Sequence, residues 1–200
     1  MATWGIVAIS HAQSDFTWTG ANGSWTDTGN WTVSGNGTGY PDATDDAVYF
    51  SQNTTTIDIS MPNDSSAVAG TITMNGTGTV RLGNATTFAG NLTLDSTSAP
   101  ILNVNSGRLA IFTELIGSQG FRKTGGGILN FNTNTLNMTN LTGNVSIEDG
   151  TVYFQQAGNF GGGNLSFSGS NTLFQLRGNL TTTFSANKNI SISTGSNINF

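Results

Sequence analysis

Residues 121–152 hold one short pattern twice over. Phe121-Arg122-Lys123-Thr124 leads through Gly125-Gly126-Gly127 into Ile128-Leu129-Asn130-Phe131, and Val145-Ser146-Ile147 leads through Asp149-Gly150 into Thr151-Val152. Each half is a short alternating strand, a glycine corner and a second short strand. Blurred versions recur from about residue 66 to the end. A chain that repeats strand and corner in this way cannot bury its apolar face within one unit. It must stack the units, and this predicts an all-β solenoid. Such a fold offers a long, regular surface instead of a single enclosed pocket.

Composition agrees with stacking. Gly, Ser, Thr and Asn fill about half of the 200 residues, and only 8% of the chain is charged, against roughly 25% in ordinary domains. The 36% of hydrophobic residues fall in alternating stretches, which argues for order. Thr, Val, Ile and Phe suit a pleated surface, while Gly and Asn suit corners. A net charge of −5 with no basic stripe argues against a nucleic-acid partner. No apolar run reaches the length of a membrane span. The absence of cysteine excludes disulfides and thiolate metal sites.

Three regions are expected. Residues 1–14 read as the remnant of a secretory signal peptide or a leader, with the apolar run Trp4–Ile9 before Ser10-His11-Ala12, a small-x-small cleavage pattern. Residues 15–50 read as a cap over the apolar end of the stack, rich in Trp and Gly and carrying Trp18, Trp25 and Trp31. Solenoids need such an atypical terminal unit. Residues 51–200 read as the repeats. Strands are expected at 47–50, 56–59, 70–74, 79–82, 91–94, 101–104, 108–112, 128–131, 135–138, 144–147, 151–154, 164–167, 172–176, 189–193 and 198–200. Pairs such as Ile72/Met74, Leu92/Leu94 and Val145/Ile147 set the period of two that turns one face inward. Residues 110–116 alone carry weak helical character.

Two topologies fit short strands with turns, an antiparallel sandwich and a parallel β-helix. The sandwich calls for Asn-Gly hairpins, and Asn-Gly stops at Asn75-Gly76. Stacked turns also let Asn and Thr form ladders. The expected fold is therefore a right-handed, single-stranded parallel β-helix with a Trp-rich N-terminal cap. At 20–25 residues and ~4.8 Å per turn, residues 50–200 would build about seven turns and a rod of about 30 Å.

The residues Phe121, Lys123, Thr124, Gly125, Gly127, Leu129 and Phe131, followed by Thr142, Gly143, Val145, Ile147, Gly150, Thr151 and Val152, resemble the autotransporter-associated β-strand repeat. That family's pattern runs apolar, Lys-Thr-Gly-x-Gly, alternating Leu or Val, a polar stretch, Thr-Gly, a strand and Gly-Thr-Leu. The resemblance covers about a sixth of the chain, and only one copy is clear. It implies a passenger, part of a longer protein, displayed at or shed from a bacterial surface and associated with the outer membrane. Its implied partners are surface glycans, other cells or further copies of itself.

Catalytic readings find little to build on. Glycosidases need two carboxylates at one site, and lyases need carboxylate-held Ca²⁺ with a basic residue. The acids here are mostly isolated. Asp42, Asp45 and Asp46 form the tightest set, a candidate for Ca²⁺ that also reads as a turn before the strand ending at Phe50; Glu148-Asp149 reads as a corner. His11, the only histidine, lies in the leader, so no Ser-His-Asp triad can form beyond it. Gly161-Gly162-Gly163-Asn164 lacks the aspartate of Ca²⁺-binding nonapeptides and the Gly-Lys-Ser/Thr of a phosphate loop. Trp18, Trp25 and Trp31 would suit either a sugar-stacking platform or packing. Thr-x-Thr pairs at 26/28, 71/73, 77/79 and 133/135 are too irregular for an ice-binding register. Asn137, Asn140, Asn144, Asn164 and Asn179 head Asn-x-Ser/Thr sequons of the kind that arise by chance in such a composition. The expected function is a structural or adhesive surface module with no catalytic residue, metal or cofactor. The alternatives are a carbohydrate-active β-helix and a phage-fibre segment.

Overall fold

The computed structural model describes residues 13–37, 39–53, 55–83, 89–132, 138–154, 161–176, 189–193 and 196–199. Those residues build a parallel β-solenoid. A long first sheet contains Asp15–Trp18, Ala47–Phe50, Thr71–Met74, Ile101–Val104, Phe121–Thr124, Val145–Ile147, Leu165–Phe167 and Ile190–Ile192, paired in parallel in that order. The second sheet stacks Gly23–Ser24, Thr56–Ser60, Thr79–Leu82, Arg108–Ile111, Ile128–Phe131, Thr151–Phe154, Leu173–Leu176 and Asn197–Asn199. A short third sheet holds Val68–Ala69, Asn91–Leu94 and Glu114–Ile116, prolonged by a bridge from Gly117 to Leu141. After the first turn, which takes 32 residues from Phe16 to Val48, each turn of this sheet takes from 20 residues (Val145 to Leu165) to 30 (Ile72 to Leu102).

The period of two sets the core. Along the first sheet, Phe16, Val48, Ile72, Leu102, Lys123, Ile147 and Phe167 share one inward column, and Ile192, next in register, is exposed. Ile59, Leu82, Ile111, Phe131, Phe154 and Leu176 share another in the second sheet. From Phe131 onward the interior becomes aromatic. Phe131 lies 5.9 Å from Phe154, and Phe154 lies 6.4 Å from Phe174, centroid to centroid.

At the N-terminal end, Trp31–Ser34 pairs antiparallel with Asp15–Trp18 and ends the first sheet. Asp27 accepts from the Gly29 amide and caps the single 3-10 turn Thr28–Asn30 before it. The three tryptophans pack edge to face, Trp18 at 4.8 Å and Trp25 at 5.1 Å from Trp31, with Phe16 and Phe50 alongside. Ala47–Phe50 pairs as every later strand of this sheet does.

The weak helical character of residues 110–116 does not become a helix: they end the strand expected at 108–112, turn a corner and form Glu114–Ile116. Ala110, Ile111, Phe112 and Thr113 are all buried, so the run shows no alternation and imitates a helix. At residues 135–138, where a strand was expected, Met138 opens the 3-10 turn Met138–Asn140, and the rest lies outside the described residues.

Candidate functional site

The repeat pattern is one solenoid turn laid on its successor. Phe121–Thr124 and Val145–Ile147 are neighbours in the first sheet, and Ile128–Phe131 and Thr151–Phe154 are neighbours in the second. Phe121 therefore stacks on Val145, Leu129 on Val152 and Phe131 on Phe154. The glycines fill two corner columns. Gly150 has φ +72°, a backbone region open to glycine at little cost. A Cβ on it would also strike the carbonyls of Gly125 and Gly127 in the turn before. Gly143 lies so close to Gln119 and Gly120 that a Cβ would overlap their backbone. Thr142 donates its amide to Gly117 and continues the third-sheet bridge into that corner.

Lys123 is the unusual member. Its side chain points inward between Leu102 and Ile147 and is fully buried. The ammonium donates to the carbonyls of Thr124 (2.9 Å), Gly125 (2.6 Å) and Asp149 (3.0 Å). It thereby ties the corner of its own turn to the corner of the next. Burial lowers its pKa from 10.5 to about 8, opposed in part by the Asp149 charge. Burial disfavours the charged form, and the carbonyls offset part of that cost. Outside the stack, Arg122 holds Glu148 through two bonds of 2.6–2.7 Å, which sets the Glu148 carboxyl below its ordinary value.

The acidic set diverges. Asp46 is buried and accepts the amides of Asp42 (3.1 Å) and Ala43 (3.0 Å); burial raises its pKa. Asp45, at φ +67°, turns the other way and accepts from Ser96 and the Thr97 amide. The Ser96 bond lowers its pKa. Both carboxylates brace the turn before Ala47–Phe50. No group of three ligating side chains gathers among the described residues. Asp42 and Asp95 do line one shallow groove of about 460 Å³, with Thr44 bonded to Asp95 at 2.6 Å.

Trp18, Trp25 and Trp31 are buried, and each indole N–H donates to a backbone carbonyl, those of Ala21, Pro41 and Trp25. No ring face is left for stacking a sugar, so the platform reading is withdrawn. The Thr-x-Thr pairs do not form one array: Thr71 and Thr73 face outward on the first sheet, while Thr79 belongs to the second. His11, Asn137, Asn179 and the 133/135 pair lie outside the described residues.

The sequons acquire a structural meaning. The Asn144 side-chain oxygen accepts the Asn164 amide at 2.9 Å, and the Asn164 oxygen accepts the Asn189 amide at 3.1 Å. Each asparagine continues the sheet ladder past the strand end. After Asn144 and Asn164 the next residue is buried and the one after turns outward, Val145 and Ser146, Leu165 and Ser166; Ile190 and Ser191 keep the same register but are exposed. Asn, apolar, Ser thus opens the last three described strands of this sheet. Asn140 is also engaged, donating to Glu114 at 2.6 Å.

Sequence reasoning missed a corner groove of about 660 Å³ that crosses three turns. It is lined by Thr77–Thr79, Asn105–Arg108 and Gly126–Ile128. Its signal in the sequence is the recurrence of glycine before consecutive second-sheet strands, Gly78, Gly107, Gly127 and Gly150. No family model matches the chain, and no curated protein or solved structure matches it either.

Proposed function

We propose that this chain is a non-catalytic solenoid of the autotransporter-passenger kind, secreted or held at a bacterial surface as a structural and adhesive module. The observation that supports it most is the outward column Thr71, Ile101, Arg122, Ser146, Ser166 and Ser191, one side chain per turn. Such a surface sets outward side chains at a regular spacing, three of them serines in succession, and weak contacts made at several such positions sum to strong attachment. The Lys-Thr-Gly-x-Gly turn and its successor supply the resemblance. Surface glycans, other cells and further copies of the chain are the proposed partners.

The test displays the chain on otherwise non-adherent cells and measures their retention on glycan-coated and cell-coated surfaces under flow. Cells displaying Ile147→Asp, which sets a charge inside the stack, serve as the unfolded control. Retention above that control supports the reading; equal retention removes it.

Asp42 and Asp95 on one groove favour a second reading, a carbohydrate-active β-helix. It requires release of reducing or unsaturated ends from a polysaccharide, abolished in Asp95→Asn. Wild-type release that survives in Asp95→Asn, or no release at all, counts against it.

A further inference from the structure

The corner groove contains a cation with no anion beside it among the described residues. Among the described basic residues, Arg81 bonds Asp58 at 2.7 Å, Arg122 is held by Glu148, and Lys123 is spent on three carbonyls. Arg108 makes no ion pair among the described residues. It is the one charged side chain among the groove's lining residues, in a chain whose acids outnumber its bases by 11 to 6. Register fixes its place: Thr79, Arg108 and Ile128 are consecutive members of one outward column, and all three line the groove.

The remaining lining has a consistent chemistry. Gly78, Gly107, Gly126 and Gly127 bring bare backbone to the floor. A Cβ on Gly126 would meet nothing within 4 Å, so the space above it is open. Asn105 and Ser106 stand on the rim, held by Asn75 and Gly76 of the turn before. Ile128 supplies an apolar patch. The volume falls within the range typical of ligand sites, roughly 300–1,000 Å³.

We propose that this groove binds a carboxylated polysaccharide. The guanidinium of Arg108 takes a carboxylate through its planar fork. The rim hydroxyl and amide groups take sugar hydroxyls, and Ile128 with the glycine floor takes the apolar face of a ring. The inference rests on the adhesive reading and names one ligand class for it.

The test measures binding of the whole chain to carboxymethyl-dextran and to unmodified dextran, by calorimetry or retention on an affinity column. The two polymers share a backbone and differ in the carboxylate. Carboxymethyl-dextran is expected to bind, and to weaken as salt is raised, with dextran at least tenfold weaker. Arg108→Gln should cut carboxymethyl-dextran binding tenfold or more. Gly126→Phe should block the groove to a similar degree. Both variants should stay folded with a melting temperature close to the parent's, because Arg108→Gln keeps the first methylenes of the stem and Gly126 faces open space. Equal binding of both polymers, no binding of either, or binding unaffected by both variants overturns the proposal. Retention of displayed cells without carboxymethyl-dextran binding removes this inference and leaves the adhesive reading standing. Binding without retention does the reverse.

Discussion

An ammonium inside an apolar column is tolerated only when every N–H has an acceptor, and Lys123 has three carbonyls. The arrangement has a measurable pH signature. The folded pKa, about 8, lies below the ordinary 10.5, so between these values the unfolded chain binds more protons than the folded one. Stability should therefore rise as pH increases from about 8 to 10.5, and this contribution should be absent below pH 8. The shift corresponds to about 3 kcal/mol at most. Denaturant titration at a series of pH values is expected to show the rise in the parent and not in Lys123→Met. An equal rise in both would place the titrating group elsewhere. Two glycines give a second contrast. Gly143→Ala, pressed onto Gln119 and Gly120, should cost about 2 kcal/mol or more. Gly126→Ala, facing open space, should cost less than about 0.5 kcal/mol. Comparable losses in thermal denaturation would contradict the corner geometry. The sequence displays both glycines and the lysine, but not their difference in role. Lys123 shares the parity of Phe121, which places it inward, yet burial of a charge is legible only once the acceptors are known. Those acceptors come from its own corner and from the next turn.

At the scale of strands, alternation was readable wherever one face meets the core and the other meets solvent. Ala47–Phe50, Thr79–Leu82, Ile101–Val104, Ile128–Phe131 and Thr151–Phe154 fall where the apolar period places them. In the third sheet Asn91–Leu94 falls where a strand was expected, and its two neighbours were obscure for different reasons. Val68–Ala69 is too short to show a period, and Glu114–Ile116 follows a stretch buried on both faces. The asparagine ladder at the entrance to the first sheet was foreseeable in kind, because Asn suits stacked corners. Its members were not, since a sequon and a ladder residue look alike in one dimension. Asn164→Ala removes the acceptor of the Asn189 amide. It is expected to cost about 1 kcal/mol and to speed hydrogen exchange at Asn189 selectively. Unchanged exchange there would mean that the ladder does not hold the strand end. The candidate groove was least legible. It consists of corners from three turns, and only the register brings Thr79, Arg108 and Ile128 into line.

For the molecule as a whole, stability comes from repetition. Each turn buries its apolar residues on the turn before, and the tryptophan cluster covers the first turn with its own polar atoms satisfied. The same repetition spreads any binding surface along the stack, which is why a shallow groove across several turns is the natural form for a site here. All of this rests on one claim, that residues about a turn apart in sequence lie side by side in parallel register. The chain has no cysteine, so introduced pairs report on register without interference. Ser146 and Ser166 are register partners, and Ser166 is in turn the partner of Ser191. Adjacent strands lie about 4.8 Å apart, within disulfide reach, and strands two turns apart lie beyond its limit of about 7 Å. Mild oxidation of Ser146→Cys/Ser166→Cys should give an intramolecular disulfide in the monomer, and Ser146→Cys/Ser191→Cys should stay reduced. Failure of the first pair to close, or equal closure of both, would contradict the parallel solenoid.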